Sequence, residues 1–238
     1  MPPTSSRAAY RQGLLAGMPF LLVLVPFALL FGVAATEAGF DLRQTMGFSV
    51  LVVAGASQFT AVQMMKTDTP AVIVVLTALA VNLRMAMYSA SFAPHLGHVG
   101  RGMRAMVAFL LFDQPYALSI QKFEAAPMTT GEKLGYYFGV ATPCTVGWWA
   151  FTWVGATIGA AIPPAFALDF AVPITFLALV APMLRTPAHL GAAAVSVAGS
   201  LVFAFLPYNL GLIVAGLLAM MAGARIELWQ TRRREGAA

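Results

Sequence analysis

Charge is what this chain has least of. Only 10% of its 238 residues are Asp, Glu, Lys or Arg, against 60% that are hydrophobic. A soluble domain carries about 25% charged residues to face water, so that class is excluded. Cysteine is almost absent too. Cys144 stands alone, which rules out an internal disulfide framework and a thiolate metal cage; it reads as a small buried side chain. Three histidines leave little for metal chemistry: His95 and His98 form an HxxH-like pair, with no further ligands close in sequence. No low-complexity tract or long hydrophilic loop interrupts the chain. The whole of 1–238 therefore reads as a single transmembrane domain, with 1–13 a cytoplasmic N-terminus and 229–238 a basic cytoplasmic tail.

What the chain does have is long apolar runs, with a mean hydropathy of +0.80. They are continuous, whereas barrel strands would alternate over about ten residues. The fold class that follows is all-α, a polytopic transmembrane helical bundle. A crossing needs about twenty residues at about 1.5 Å each. On that basis spans are expected near 14–36, 45–65, 71–93, 103–121, 134–161, 168–184, 189–206 and 209–228, about eight in all. The seventh is short; if it is re-entrant, seven spans remain. The fifth contains Thr142-Pro143 and is expected to kink or break there. The stretch Gly13 to Thr36, preceded by Arg7 and Arg11, exceeds the about 7–15 residues of a signal-peptide core and is taken as a retained first span.

The net charge of +5 is not a nucleic-acid signature, because the basic residues lie between apolar runs and at the termini. Arg232-Arg233-Arg234 reads as a stop-transfer flank, with contact to anionic headgroups of the membrane lipid the alternative. With the N-terminus inside, Arg7, Arg11, Lys66, Lys122, Lys133, Arg185, Arg225 and Arg232–Arg234 fall in the cytoplasm. Arg43, Arg101 and Arg104 fall outside, the last two against the rule. Gly131, Gly135 and Gly139, and separately Gly155 with Gly159, form small-residue ladders on different helix faces, the pattern of close helix packing, with substrate access along a glycine face the alternative.

Arg84 belongs to neither set. It lies alone in the third span, where an arginine at the bilayer centre costs about 2.5–3.5 kcal/mol on insertion scales. Its guanidinium needs an acceptor or water. Asp113, in the fourth span, is the carboxylate at comparable depth, and the two are expected to face one another. A static packing salt bridge is the simpler alternative. In the second span Gly55, Ser57 and Gln58 make a small, polar interruption at the same level. It is either a ligand-contacting break or a tight, hydrogen-bonded helix crossing. Asn82 is about 200° round the helix from Arg84 and is expected to bond elsewhere. Prolines 19, 26, 115, 173 and 182 each free a carbonyl inside a span. Trp148, Trp149 and Trp153, with Tyr136 and Tyr137, read as interfacial or packing aromatics, and Asp169 as a solvated boundary residue.

AGASQF at Ala54–Phe59, NLRMAMYSASFAP at Asn82–Pro94 and LFDQPYA at Leu110–Ala117 resemble the marks of AzlC-type proteins. These are large subunits of bacterial branched-chain amino-acid exporters. The likeness covers most of the chain, with Leu168–Pro182 fitting more loosely. It departs where Gln114 replaces a frequent acidic residue and Met85 a frequent histidine; both changes remove titratable groups and weigh against a proton relay. The resemblance implies a gradient-driven permease of the bacterial cytoplasmic membrane, paired with a small, roughly four-span AzlD-type subunit. It is expected to export branched-chain or related apolar amino acids, by antiport with protons if the coupling is to that ion. Arg84, Asp113, Gln114, Ser57, Gln58, Gly55 and Asn82 are the candidate substrate or coupling residues, and no cofactor is implied. A channel or scaffold subunit without active transport is the alternative, although no filter motif is visible. An intramembrane enzyme finds no HExxH, no paired nucleophile and base, and no aspartyl dyad.

Overall fold

The computed structural model describes residues 5–159, 184, 186–206 and 210–235. The described residues form helices and no strand. They are α1 (Ser6–Gly17), α2 (Leu21–Glu37), α3 (Leu42–Leu51), α4 (Gly55–Lys66), α5 (Ala71–Val81), α6 (Leu83–Leu96), α7 (Arg101–Phe109), α8 (Asp113–Ala125), α9 (Thr130–Gly159), α10 (Pro187–Val202) and α11 (Leu210–Glu235). By length and composition Ser6–Glu37, Ala71–Leu96 and Leu210–Gln230 can each cross a membrane. The expected helix at 168–184, with Pro173, Pro182 and Asp169, lies outside the described residues.

The chain divides into two compact units. One comprises Met1–Gln63 and Ala78–Phe166, the other Met64–Thr77 and Ala167–Ala238. In the second, α10 and α11 pair antiparallel with small residues at the seam. An added Cβ on Gly199 would meet Ala215 at 3.0 Å, and one on Gly223 would meet Ala192 at 3.2 Å. Thr186 caps α10 by accepting a hydrogen bond from the His189 amide at 3.2 Å, and Pro187 follows at the first turn, where its missing N–H costs nothing.

The first unit is built around α9. Its 30 residues extend about 45 Å, and the helix runs unbroken through Pro143 instead of breaking there. The Thr142 hydroxyl bonds the Phe138 carbonyl at 2.7 Å and accepts from Tyr10 at 3.1 Å. The glycine ladders do what close packing requires. A Cβ on Gly135 or Gly139 would strike the backbone of Ser6 or Tyr10, one on Gly155 the backbone of Leu29, and one on Gly159 would meet Val33 and Thr36. Contacts climb both chains together, so α1 and α2 lie parallel to α9, backbone to backbone.

Two expected spans are interrupted. The 45–65 stretch breaks at Val52–Ala54 between α3 and α4. Phe31 meets Phe48 before the break at 6.0 Å and Phe59 after it at 5.6 Å, so the chain changes course there. The 103–121 stretch, expected as one crossing, is two helices separated by Leu110–Phe112. α6 and α8 run parallel, with Arg84 beside Asp113, Ser91 beside Tyr116 and His95 beside Phe123. The end of α6 meets the start of α9 through His95 Nδ1, which accepts from Lys133 Nζ at 3.2 Å, and through His98 with Thr130 at 2.8 Å. α7 leaves from that same end, four residues after α6, and α8 returns to it. The α7–α8 pair is therefore a re-entrant hairpin, not a crossing. This corrects the placement of Arg101 and Arg104: they share an end of the unit with Arg7, Arg11, Lys122 and Lys133.

Candidate functional site

Asp113 is the first residue of α8, preceded by Phe112 in an extended conformation with no side-chain cap. The unsatisfied amides of a helix start favour a carboxylate there. Arg84 lies at the start of α6, two residues after Asn82, where α5 gives way to α6. Arg84 and Asp113 each stand twelve residues from the far end of their helix, about 18 Å in, close to the middle of a hydrocarbon layer of about 30 Å. Arg84 Nη1 lies 2.9 Å from Asp113 Oδ2, with the two side chains 30% and 43% exposed. The pair is formed but not sealed. A ligand could reach both charges without unpacking the helices around them.

Sequence reasoning missed the residues that complete this pair. The Tyr88 hydroxyl donates to Asp113 Oδ1 at 3.0 Å, so both carboxylate oxygens are engaged. Tyr88 stacks on Tyr116, centroids 4.1 Å apart with planes 11° from parallel, and the Tyr116 hydroxyl donates to Ser91 at 3.2 Å. Their signal was helical spacing: Tyr88 is four residues after Arg84 and Tyr116 three after Asp113, which puts each on its partner's face.

The second-span residues divide differently. Ser57, 1% exposed, donates to the Ala54 carbonyl at 2.9 Å and accepts from Asn82 Nδ2 at 3.1 Å. Asn82 thus bonds a neighbouring helix, as its helical position requires. Gln58, fully buried, donates through Nε2 to the carbonyls of Val52 and Phe48, while Trp149 donates to Ser49 at 3.3 Å. Together they satisfy the carbonyls left open where α3 ends. Gly55 admits the Trp148 ring, which an added Cβ would meet at 2.8 Å. Gly55 and Gln58 are therefore braces of the interruption. Gln114 follows Asp113, half-buried, with no hydrogen bond to another described residue. Along the run Gln58–Ser57–Asn82–Arg84, three buried polar atoms lack a partner: Gln58 Oε1, Asn82 Oδ1 and Arg84 Nε. Such atoms are costly unless water or a ligand reaches them.

The re-entrant tip is held by the same device. Tyr137, with no exposed surface, donates to the Val107 carbonyl at 2.7 Å, while Leu111 and Phe112 are buried. Irregular backbone at membrane depth is tolerated only when covered in this way. Among the described residues no cluster of three or more His, Cys, Asp or Glu could hold a metal; His95 and His98 are engaged with Lys133 and Thr130.

Comparison with known proteins gives the chain its family. Residues 19–162, which include α2 through α9 and the whole Arg84–Asp113 site, match the AzlC protein family. The chain is 27% identical over 181 residues to the inner membrane protein YgaZ of Escherichia coli, covering 74% of this chain and 73% of that one. It is 30% identical over 234 residues to a membrane protein of Archaeoglobus fulgidus, covering 96% and 99% respectively. No solved structure matches the chain. The chain belongs to the AzlC family and is a membrane protein of that transporter family.

Proposed function

We propose that the chain is the large subunit of a secondary transporter exporting branched-chain or related apolar amino acids across a cytoplasmic membrane. In this reading it is gradient-driven and works with a small multi-span AzlD-type partner. One observation carries the proposal: an open ion pair, Arg84 with Asp113 at 2.9 Å, sits near mid-membrane depth between apolar helix segments. An amino-acid zwitterion presents one carboxylate for the guanidinium and one ammonium for the carboxylate. Each protein charge can therefore exchange its partner for a ligand group, and no charge is left alone. A ligand with only one charge would strand either Arg84 or Asp113, which is the costly outcome for a desolvated pair. The stacked Tyr88 and Tyr116 rings beside the pair offer an apolar surface to an aliphatic side chain.

The positive-inside rule then orients the first unit. Arg7, Arg11, Arg101, Arg104, Lys122 and Lys133 gather at one end, whereas the α2–α3 turn at the other carries Glu37, Asp41 and Arg43. The cation-rich end, and the N-terminus with it, is assigned to the cytoplasm.

The test is efflux of leucine, valine, isoleucine and methionine from cells expressing the wild type, Arg84→Ala or Asp113→Asn at matched membrane abundance. Both variants should lose at least tenfold in rate, since each strands one ligand charge. Normal efflux by both would reject the reading. Uphill accumulation in everted vesicles that collapses with the proton gradient would separate a transporter from a channel.

A further inference from the structure

A groove of about 530 Å³ opens between α1, α7 and α9 at the cation-rich end of the first unit, away from the Arg84–Asp113 pair. Its apolar wall is formed by Met103, Leu134 and Phe138, and its basic side by Arg7 and Arg11, with Tyr10 between them. Arg7 and Arg11 are four residues apart and share a face of α1. Both are exposed, and among the described residues neither has an ion-pair partner.

The groove's level in the membrane can be read from the apolar Ser6–Glu37 span that packs along α9, whose 32 residues, about 48 Å in length, outreach a hydrocarbon layer of about 30 Å by a turn or more at each end. Gly135 packs on Ser6 and Gly139 on Tyr10. Arg7 therefore falls in the headgroup zone and Arg11 one turn deeper, where its apolar stem can lie along the groove while the guanidinium reaches outward. Two cations at headgroup height above an apolar channel match one kind of occupant. A soluble anion would leave the apolar wall wet, and a neutral lipid would leave the guanidinium pair without a net counter-charge.

We propose that this groove binds an anionic phospholipid, the phosphate held between Arg7 and Arg11 and one acyl chain lying along Met103, Leu134 and Phe138. The site does not depend on what the protein transports, and basic pockets between membrane helices are known to take such headgroups.

The experiment is native mass spectrometry of the purified full chain loaded with phosphatidylglycerol, with phosphatidylcholine of the same acyl chains, or with glycerol phosphate. The wild type should retain phosphatidylglycerol preferentially and glycerol phosphate not at all. A basic residue near a lipid surface changes binding by about fivefold, so Arg7→Gln with Arg11→Gln should lower retention by more than tenfold. Arg101→Gln removes a cation from the same end but outside the groove and should leave retention unchanged. Met103→Trp fills the apolar wall at an exposed position and should weaken lipid binding with both arginines intact. Equal loading by the two lipids would overturn the proposal. So would retention that ignores Arg7 and Arg11, an equal loss in Arg101→Gln, or indifference to Met103→Trp.

Discussion

At the scale of single residues, the centre of the protein is a four-part contact. Arg84 and Tyr88 on α6 grip the two oxygens of Asp113 on α8, and Tyr116 stacks behind Tyr88. The Tyr88 hydroxyl sets which way the carboxylate faces, so Tyr88 acts through Asp113 as a positioning residue. Tyr88→Phe keeps the ring stack but removes one hydrogen bond, typically about 0.5–1.5 kcal/mol net and about 1.5–3 when the acceptor is charged. Transport should fall by several-fold, with membrane abundance unchanged. Tyr116→Phe breaks only the bond to Ser91 and should be milder. Equal, severe losses in both would mean that the stack, not the grip on Asp113, is what matters; efflux assays at matched expression separate the two. Arg84 and Asp113 were legible in the sequence because charge is so scarce that each isolated one needs a reason. Tyr88 and Tyr116 were not, since a tyrosine in a membrane helix has many ordinary roles and only its partner's position singles it out.

At the scale of elements, the recurring device is an interrupted helix whose open carbonyls are capped by side chains. Gln58 and Trp149 serve the end of α3, and Tyr137 serves the end of α7. Tyr137→Phe would leave the Val107 carbonyl buried without a donor, a penalty of about 1–3 kcal/mol. Thermal unfolding of the purified variant should show a lowered midpoint, and an unchanged midpoint would mean the tip is held by packing alone. Gly155→Leu is a harsher test. A side chain there runs into the Leu29 backbone, so the variant should fail to accumulate as folded protein in the membrane, whereas a substitution at the open Gly102 should be tolerated. Most helices were legible from apolar runs, and the small-residue ladders announced the α9 seam. The break at Leu110–Phe112 was not legible, because LLF is as good a helix filler as its neighbours. Nothing local marks the turn. It comes from the pull of Asp113 toward Arg84 and from the cap offered by Tyr137, both distant in sequence.

At the scale of the whole molecule, the re-entrant hairpin changes how the chain is threaded through the membrane. A continuous helix over 103–121 puts Arg101 and Arg104 on the outer side, against the charge rule. The folded-back pair returns them to the end that carries Arg7, Arg11, Lys122 and Lys133, and the exception disappears. Single-cysteine scanning checks this directly, since the one native thiol, Cys144, is buried. In intact cells a membrane-impermeant thiol reagent should modify Leu42→Cys and spare Gly102→Cys. Modification of Gly102→Cys from outside would restore the straight fourth span. The family match to 19–162 coincides with the part of the chain that holds both interruptions and the ion pair.

The central claim is that one open ion pair takes both ends of a zwitterion. Calorimetric titration of the purified protein, together with the proposed AzlD-type partner, tests it with three ligands of one side chain: leucine, leucinamide and isopentylamine. Leucine should bind, and the other two, which offer an ammonium but no carboxylate to Arg84, should bind at least tenfold more weakly. Equal binding of all three would show that Arg84 does not meet the ligand and would contradict the account at its centre.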